Sequence, residues 1–170
     1  MIRICFHGVE SAGKSTLAAR LGLPWVPEFG RSYCETHGTD LTMEDLLAIA
    51  EGQDMAMRKA AEAKPAVLIL DTDPLMTAAW ARMLFGTVPR QLMSYAKAEH
   101  YLLFAPDVAW VADGTRFFGG EGERARFAAI CQDILVEAKL PFETVTGEWA
   151  ERERQVRAHI ANWANAAGTC

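Results

Sequence analysis

Residues 6–17 read FHGVESAGKSTL, and this stretch contains the pattern G-x-x-x-x-G-K-[ST], which wraps a polypeptide around phosphate groups. An apolar run precedes the pattern and a helical pattern follows it, which is the context that such a loop requires. The backbone amides of the loop point at the anion, and the helix adds its positive dipole end. The sequence therefore predicts a nucleotide site made of Gly8, Glu10, Ser11, Ala12, Gly13, Lys14, Ser15 and Thr16.

Two side chains near this loop are suited to hold Mg²⁺. The hydroxyl of Ser15 can take one coordination position, and Asp71 closes the apolar run AVLILD, where a metal-binding carboxylate is expected. Lys14 can reach the β and γ phosphates of ATP. Asp73 follows two residues after Asp71, and it can either cap the helix that starts at Pro74 or contact the substrate.

Short apolar runs alternate with segments of helical periodicity, which indicates an α/β fold with a parallel sheet between helices. Strands are predicted at residues 4–8, 25–28, 66–71, 101–105 and 142–145, which gives a five-stranded sheet. Thr42 and Asp45 form a capping box at the start of one helix, and Val156, Ile160 and Trp163 form the apolar stripe of the last. We expect a single domain over residues 1–170, with a mobile glycine-rich lid at about 113–124.

The composition limits the classes of partner. A net charge of −5, a pI near 5.4 and the lack of a Lys/Arg-rich run argue against a nucleic-acid partner. The cysteines are scattered without metal-ligand spacing, and no apolar run reaches the length of a membrane span. We therefore expect a cytoplasmic protein that acts on a small molecule, and the sequence leaves a homo-oligomer open.

Other proteins with this loop carry signatures that are missing here. A GTPase would show Asn-Lys-x-Asp, a transport ATPase would show Ser-Gly-Gly-Gln, and a motor ATPase would need a longer chain with a helical lid domain. The remaining class is a compact kinase for nucleosides or nucleoside monophosphates. Such an enzyme needs an acceptor site, a lid and an adenine slot.

Further motifs resemble the ribosylnicotinamide kinase domain of the NadR family. They are VESAGKSTL in the loop, PEFGR at 27–31, Gln53, DTD at 71–73, WVADGTR at 110–116 and GEWAER at 147–152. The resemblance implies a P-loop fold of the nucleoside kinase type and transfer of phosphate from ATP, with Mg²⁺, to the 5′-hydroxyl of nicotinamide riboside. It also implies a stand-alone kinase, because neither the adenylyltransferase nor the DNA-binding segment of that family is expected here.

The acceptor side departs from the family. The resemblance implies aromatic side chains that clamp the nicotinamide ring, at positions that correspond to Pro27 and about Met55, and neither residue is aromatic. The base that accepts the hydroxyl proton is either Glu28 or Asp71. Arg31 can bind the sugar or a phosphate, or it can form a surface ion pair with Glu28.

The lid and the adenine slot complete the predicted site. Arg116 and Arg124 match the lid arginines of the family and would bring positive charge to the transferred phosphoryl group, while Phe117 and Phe118 would pack or anchor the lid. Trp149 and Arg152 lie in the turn where related kinases receive adenine. The alternative for Trp149 is ordinary packing at the start of the last helix.

Two other functions stay open at this stage. The chain could be an ATP-binding switch with a protein partner, since the aromatic clamp is missing. It could also be a kinase for another nucleoside or for a mononucleotide. Acceptor-dependent formation of ADP separates the switch from the kinases.

Overall fold

The computed structural model describes residues 1–111, 117 and 120–168. Within them, five parallel strands form one sheet in the order β2-β3-β1-β4-β5, which confirms the predicted five-stranded parallel sheet. The strands are β1 (Ile2–Gly8), β2 (Trp25–Val26), β3 (Val67–Asp71), β4 (His100–Phe104) and β5 (Phe142–Val145). β1 and β3 are almost continuously buried because helices cover both faces of the sheet.

Helices connect the strands. They are α1 (Lys14–Arg20), α2 (Phe29–His37), α3 (Met43–Ala61), α4 (Pro74–Phe85), α5 (Arg90–Ser94), α6 (Glu121–Glu137) and α7 (Trp149–Gly168). The capping box at α3 is confirmed: the Asp45 amide donates to Thr42 Oγ1 at 3.2 Å, and the Thr42 amide donates to Asp45 Oδ2 at 2.8 Å. The stripe of α7 is also confirmed, since Val156 and Ile160 are buried in the core and Trp163 packs against it.

The second strand is shorter than predicted. It ends at Val26 instead of Glu28, because Pro27 has no N–H to donate to β3 and cannot continue the ladder. Glu28 is therefore the N-cap residue of α2, and its side chain makes no capping hydrogen bond. The carboxylate is left available for the cavity described below.

The predicted lid falls mostly outside the described residues. Arg116 and Phe118 are not described, whereas Phe117 is, and α6 begins at Glu121. Among the described residues, no helix combines the length and the apolar character needed to cross a membrane. The single-domain boundaries and the lid stay predictions.

Candidate active site

The carboxyl ends of β1 and β3 open into a cavity of about 340 Å³. Open α/β sheets bind their ligands at this edge. The phosphate loop forms one side of the cavity through Gly8 and residues 10–16. The other sides come from the start of α2 (Glu28, Arg31), one face of α3 (Leu46, Ile49, Gln53) and one face of α4 (Met76, Thr77, Trp80).

Two positions of the loop require glycine. Gly8 has φ +124°, and a Cβ at this residue would lie 2.6 Å from the carbonyl oxygen of Phe104. Gly13 has φ +85° and is the N-cap residue of α1. A residue with a side chain would be strained in these backbone conformations, whereas glycine adopts them readily. The two glycines therefore allow the loop to close around an anion, with the N-terminus of α1 directed at it.

Lys14 is buried at the centre of the loop. Its Nζ donates to the carbonyl oxygens of Gly8 at 2.9 Å and Val9 at 2.7 Å. These contacts hold the ammonium group beside the cavity. The predicted role at the phosphates stays a prediction, and the position of the charge supports it.

Asp71 is the last residue of β3 and lies beside the cavity, which its neighbour Thr72 lines. The residue is 1% exposed, and its Oδ1 has no hydrogen-bond partner among the described residues. Burial raises the pKa of the carboxyl, while the charge of Lys14 and a hydrogen bond with Ser15 act in the opposite direction. A buried carboxylate oxygen without a partner, next to a hydroxyl, suits a hard cation such as Mg²⁺. Ser15 and Asp71 thus fit the predicted metal role.

Glu28 is half-buried and lines the cavity. Burial raises its pKa to about 7, and the charge of Asp71 adds to this rise, whereas Lys14 and Arg31 lower it. A carboxylate with a pKa near the working pH is suited to accept a proton from a reacting group. Between the two candidates for the base, this observation favours Glu28.

Gln53 joins the segments that carry these carboxylates. Its Oε1 accepts from the Phe29 amide at 2.7 Å, and its Nε2 donates to the carbonyl oxygens of Pro27 at 3.4 Å and Thr72 at 3.3 Å. The sequence analysis gave Gln53 no role. A glutamine on the apolar face of a helix, four residues after Ile49, was the signal.

Met55 and Asp73, which the sequence predicts as substrate contacts, do not line the cavity. Met55 is 64% exposed, Pro27 is exposed, and neither lines the cavity. Asp73 is buried, and it caps α4 through Leu75 N at 3.0 Å and accepts from Tyr101 Oη at 2.6 Å. The structure therefore supports the capping alternative for Asp73, because both carboxylate oxygens are already bonded within the protein.

Arg124 lies in the first turn of α6, beside the predicted lid. Its Nη1 donates to the Val108 carbonyl oxygen at 2.7 Å, and the side chain does not line the cavity. The guanidinium ties the start of α6 to the segment after β4. Arg116, the other predicted lid arginine, lies outside the described residues. The catalytic roles of both arginines stay predictions.

Arg152 braces the phosphate loop from behind. The residue is 1% exposed, donates to the carbonyl oxygens of Gly147 at 2.7 Å, Ala105 at 3.1 Å and Ala12 at 3.4 Å, and forms an ion pair with Asp107. These bonds connect the loop to the ends of β4 and β5. Sequence reasoning expected adenine contacts and missed this structural role, which no local pattern signals.

A second cavity, of about 150 Å³, adjoins the loop on the side of Arg152. Gly13, Thr16, Leu17 and Trp149 line it. Trp149 is 51% exposed and lies over Gly13, where an added Cβ would be 2.2 Å from its Cζ3 atom. An exposed aromatic ring beside the loop fits the predicted adenine slot, while the alternative of packing at the start of the last helix stays open, because Trp149 is the first residue of α7.

A family model described as an AAA domain, AAA_28, matches residues 3–152. The chain belongs to the AAA_28 family. It is also homologous to NadR, as its motifs indicated. It is 29% identical over 158 residues to the trifunctional NAD biosynthesis/regulator protein NadR of Escherichia coli (strain K12), covering 85% of this chain and 38% of that protein.

The NadR protein of Salmonella typhimurium is 28% identical over 156 residues, with coverage of 82% of this chain and 37% of that protein. The chain thus spans less than two fifths of these curated relatives. Activities of the whole NadR proteins therefore remain proposals for this AAA_28 member.

Solved structures agree on the fold. A crystal structure of NadR protein in complex with NR superposes with a TM-score of 0.77 at 21% identity, covering 96% of this chain and 50% of that one. Thymidylate kinase from Ehrlichia chaffeensis has a TM-score of 0.70 at 13% identity, with coverage of 94% and 98%. This AAA_28 member therefore has a P-loop kinase-like fold.

Proposed function

We propose that the protein transfers the γ-phosphoryl group of ATP to the 5′-hydroxyl of a nucleoside. The observation that carries this proposal is the position of Glu28. This carboxylate has a pKa of about 7, lines the same cavity as Lys14 and lies close to Asp71. Phosphoryl transfer to an alcohol needs a proton acceptor, a cation that binds the phosphates and a carboxylate that binds the metal ion.

The charges of the cavity favour a hydroxyl acceptor over a phosphate acceptor. A phosphate oxygen is already ionised at neutral pH and needs no base, so a mononucleotide would gain nothing from Glu28. A second phosphate would also face the negative charges of Glu28 and Asp71, with Arg31 as the nearby acceptor-side cation. A nucleoside therefore fits better than a mononucleotide.

The hydroxyl oxygen attacks the γ-phosphorus and forms a new P–O bond, while the bond to the β,γ-bridging oxygen breaks and ADP leaves. Glu28 accepts the hydroxyl proton. Lys14 neutralises charge on the phosphates. Ser15 and Asp71 would hold Mg²⁺, which supplies Lewis-acid stabilisation of the phosphate oxygens when bound. Arg31 would orient the sugar.

Nicotinamide riboside is the acceptor we propose first. Homology to NadR supports it, as does the likeness of the fold to NadR in complex with NR. Adenine would occupy the smaller cavity beside Trp149, so that the phosphates run along the loop toward Glu28. The cytoplasmic location and the oligomeric state stay predictions from the sequence.

The test is to incubate the protein with Mg-ATP and a panel of nucleosides and mononucleotides, including nicotinamide riboside, and to follow both ADP and phosphorylated product. We expect ADP formation that depends on a nucleoside and is lost in Glu28→Gln. If ADP forms at the same slow rate with every addition, the ATP-binding switch replaces the kinase. Faster turnover with a mononucleotide than with any nucleoside would contradict the preference for a hydroxyl acceptor that we infer from the charges of the cavity.

A further inference from the structure

An aromatic wall bounds the cavity on the side of α4. Trp80 is half-buried and lines the cavity together with Phe117. The two rings meet edge to face, with centroids 5.0 Å apart and planes at 63°. Trp80 also packs on Phe127, which is buried, with centroids 4.7 Å apart. These neighbours fix the indole at the cavity surface.

The aromatic wall, Trp80 and Phe117, is tied to the phosphate loop. The Phe117 amide donates to the carboxylate of Glu10, at 3.0 Å to Oε2 and 3.3 Å to Oε1. Glu10 belongs to the loop that would hold the donor phosphates and lines the same cavity. The wall therefore has a defined position relative to the phosphate loop.

The remaining lining of the cavity includes both apolar and polar side chains. Leu41, Leu46 and Ile49 are apolar residues of α3 and the segment before it. Glu28, Thr72 and Thr77 are among its polar residues. A flat ring suits the apolar and aromatic side chains, and a sugar hydroxyl suits the polar ones.

We propose that Trp80, with Phe117, forms the contact surface for the ring of the acceptor and determines its specificity for aromatic bases. This inference rests on the proposed function, because the ring belongs to the acceptor. It moves the ring contact from positions 27 and 55, whose side chains do not line the cavity, to α4. The ligand class is a nucleoside with a planar aromatic base.

The test compares Trp80→Leu and Trp80→Phe with the wild type. KM values for nicotinamide riboside and ATP are measured, and equilibrium binding of the nucleoside is followed by calorimetry. We expect Trp80→Leu to weaken nucleoside binding and raise its KM roughly tenfold, within the range of base–aromatic stacking. Trp80→Phe should retain most of the affinity, and KM for ATP should change less than twofold in both variants.

Trp163→Leu is the matched control. Trp163 is also half-buried and stacks on a ring, His100, at 4.2 Å, but it lies on α7 and does not line the cavity. It should leave nucleoside KM unchanged. If Trp80→Leu does not fold, Phe117→Leu tests the same wall from its other member, with the same expected loss.

The outcomes separate this inference from the proposed function. Turnover by the wild type with an unchanged KM in Trp80→Leu would overturn the inference and leave the kinase standing. Nucleoside binding that depends on Trp80 without any turnover would support the inference and reject the kinase. A wild type that binds no nucleoside at all, or a loss in Trp163→Leu as large as in Trp80→Leu, would also overturn the inference.

Discussion

Replacing Glu28 by glutamine should stabilise the ligand-free protein at neutral and alkaline pH. Glutamine has nearly the same shape but no charge, and no capping hydrogen bond is lost because the Glu28 side chain makes none. The pKa of Glu28 is raised from its ordinary value of 4.5 to about 7, chiefly by burial. Keeping the ionised side chain in the cavity therefore opposes folding.

The sign follows from proton binding. The folded protein holds the Glu28 proton up to about pH 7, whereas the unfolded chain releases it near pH 4.5. Raising the pH between these values favours the unfolded state, so the wild type loses stability there. This difference in pKa corresponds to about 3 kcal/mol above pH 7. For a chain of this size the corresponding change in Tm is about 6 to 12 °C.

The assay is urea unfolding followed by circular dichroism at pH 4.5, 6, 7 and 8.5, in EDTA and without nucleotide. The free energy of unfolding of Glu28→Gln minus that of the wild type should increase through this range and level off above pH 7. Glu51→Gln, at an exposed position on α3, is the control and should show a flat difference.

Two results would refute the reasoning. A difference that does not vary with pH would mean that Glu28 titrates alike in the folded and unfolded states. A variant less stable than the wild type at pH 8.5, and increasingly so with rising pH, would mean that attraction to Lys14 and Arg31 outweighs burial. In that case the pKa would lie below its ordinary value, and Glu28 would be a poor base.

Three further substitutions test the site. Lys14→Ala should abolish phosphoryl transfer while circular dichroism shows a retained fold. Gln53→Leu should lower the free energy of unfolding in urea by about 1–3 kcal/mol, because the Phe29 amide loses its acceptor. The same variant should lower kcat more than it raises KM for ATP, since Glu28 is displaced. Arg152→Met should cost about 2 kcal/mol in the same assay and weaken ATP binding measured by calorimetry, because the loop loses its brace at Ala12. Equal activity of Gln53→Leu and the wild type would reject its positioning role.

The sheet and the phosphate loop could be predicted because local patterns determine them. β3 is a buried apolar run that ends at Asp71, and the glycines of the loop occupy backbone conformations that side chains strain. Thr42 and Asp45 satisfy each other within one turn of chain. None of these features requires knowledge of the tertiary structure. The end of β2 was the exception among the strands, because Pro27 made it shorter than predicted.

The acceptor side could not be predicted in the same way, because it depends on which helix face turns toward the cavity. Leu46, Ile49 and Gln53 are spaced by three and four residues and share a face, whereas Met55 is two residues further on and points away. Trp80 follows Met76 by four residues on α4. That spacing was visible in the sequence, but nothing local indicated that this face meets the phosphate loop.

Main-chain carbonyl groups position two cationic side chains at the phosphate loop, Lys14 of the loop and Arg152 of α7. Lys14 donates to two carbonyl oxygens, and Arg152 donates to three in addition to its ion pair with Asp107. A carbonyl group positions a cation without cancelling its charge, whereas a carboxylate would neutralise it. Lys14 is therefore held where it can meet an incoming phosphate, while Asp71 keeps a buried Oδ1 that has no hydrogen-bond partner in the described part of the chain and suits a metal ion. Because the Lys14 charge also attracts the Asp71 carboxylate in the free protein, nucleotide and Mg²⁺ would each take over one partner of an existing attraction.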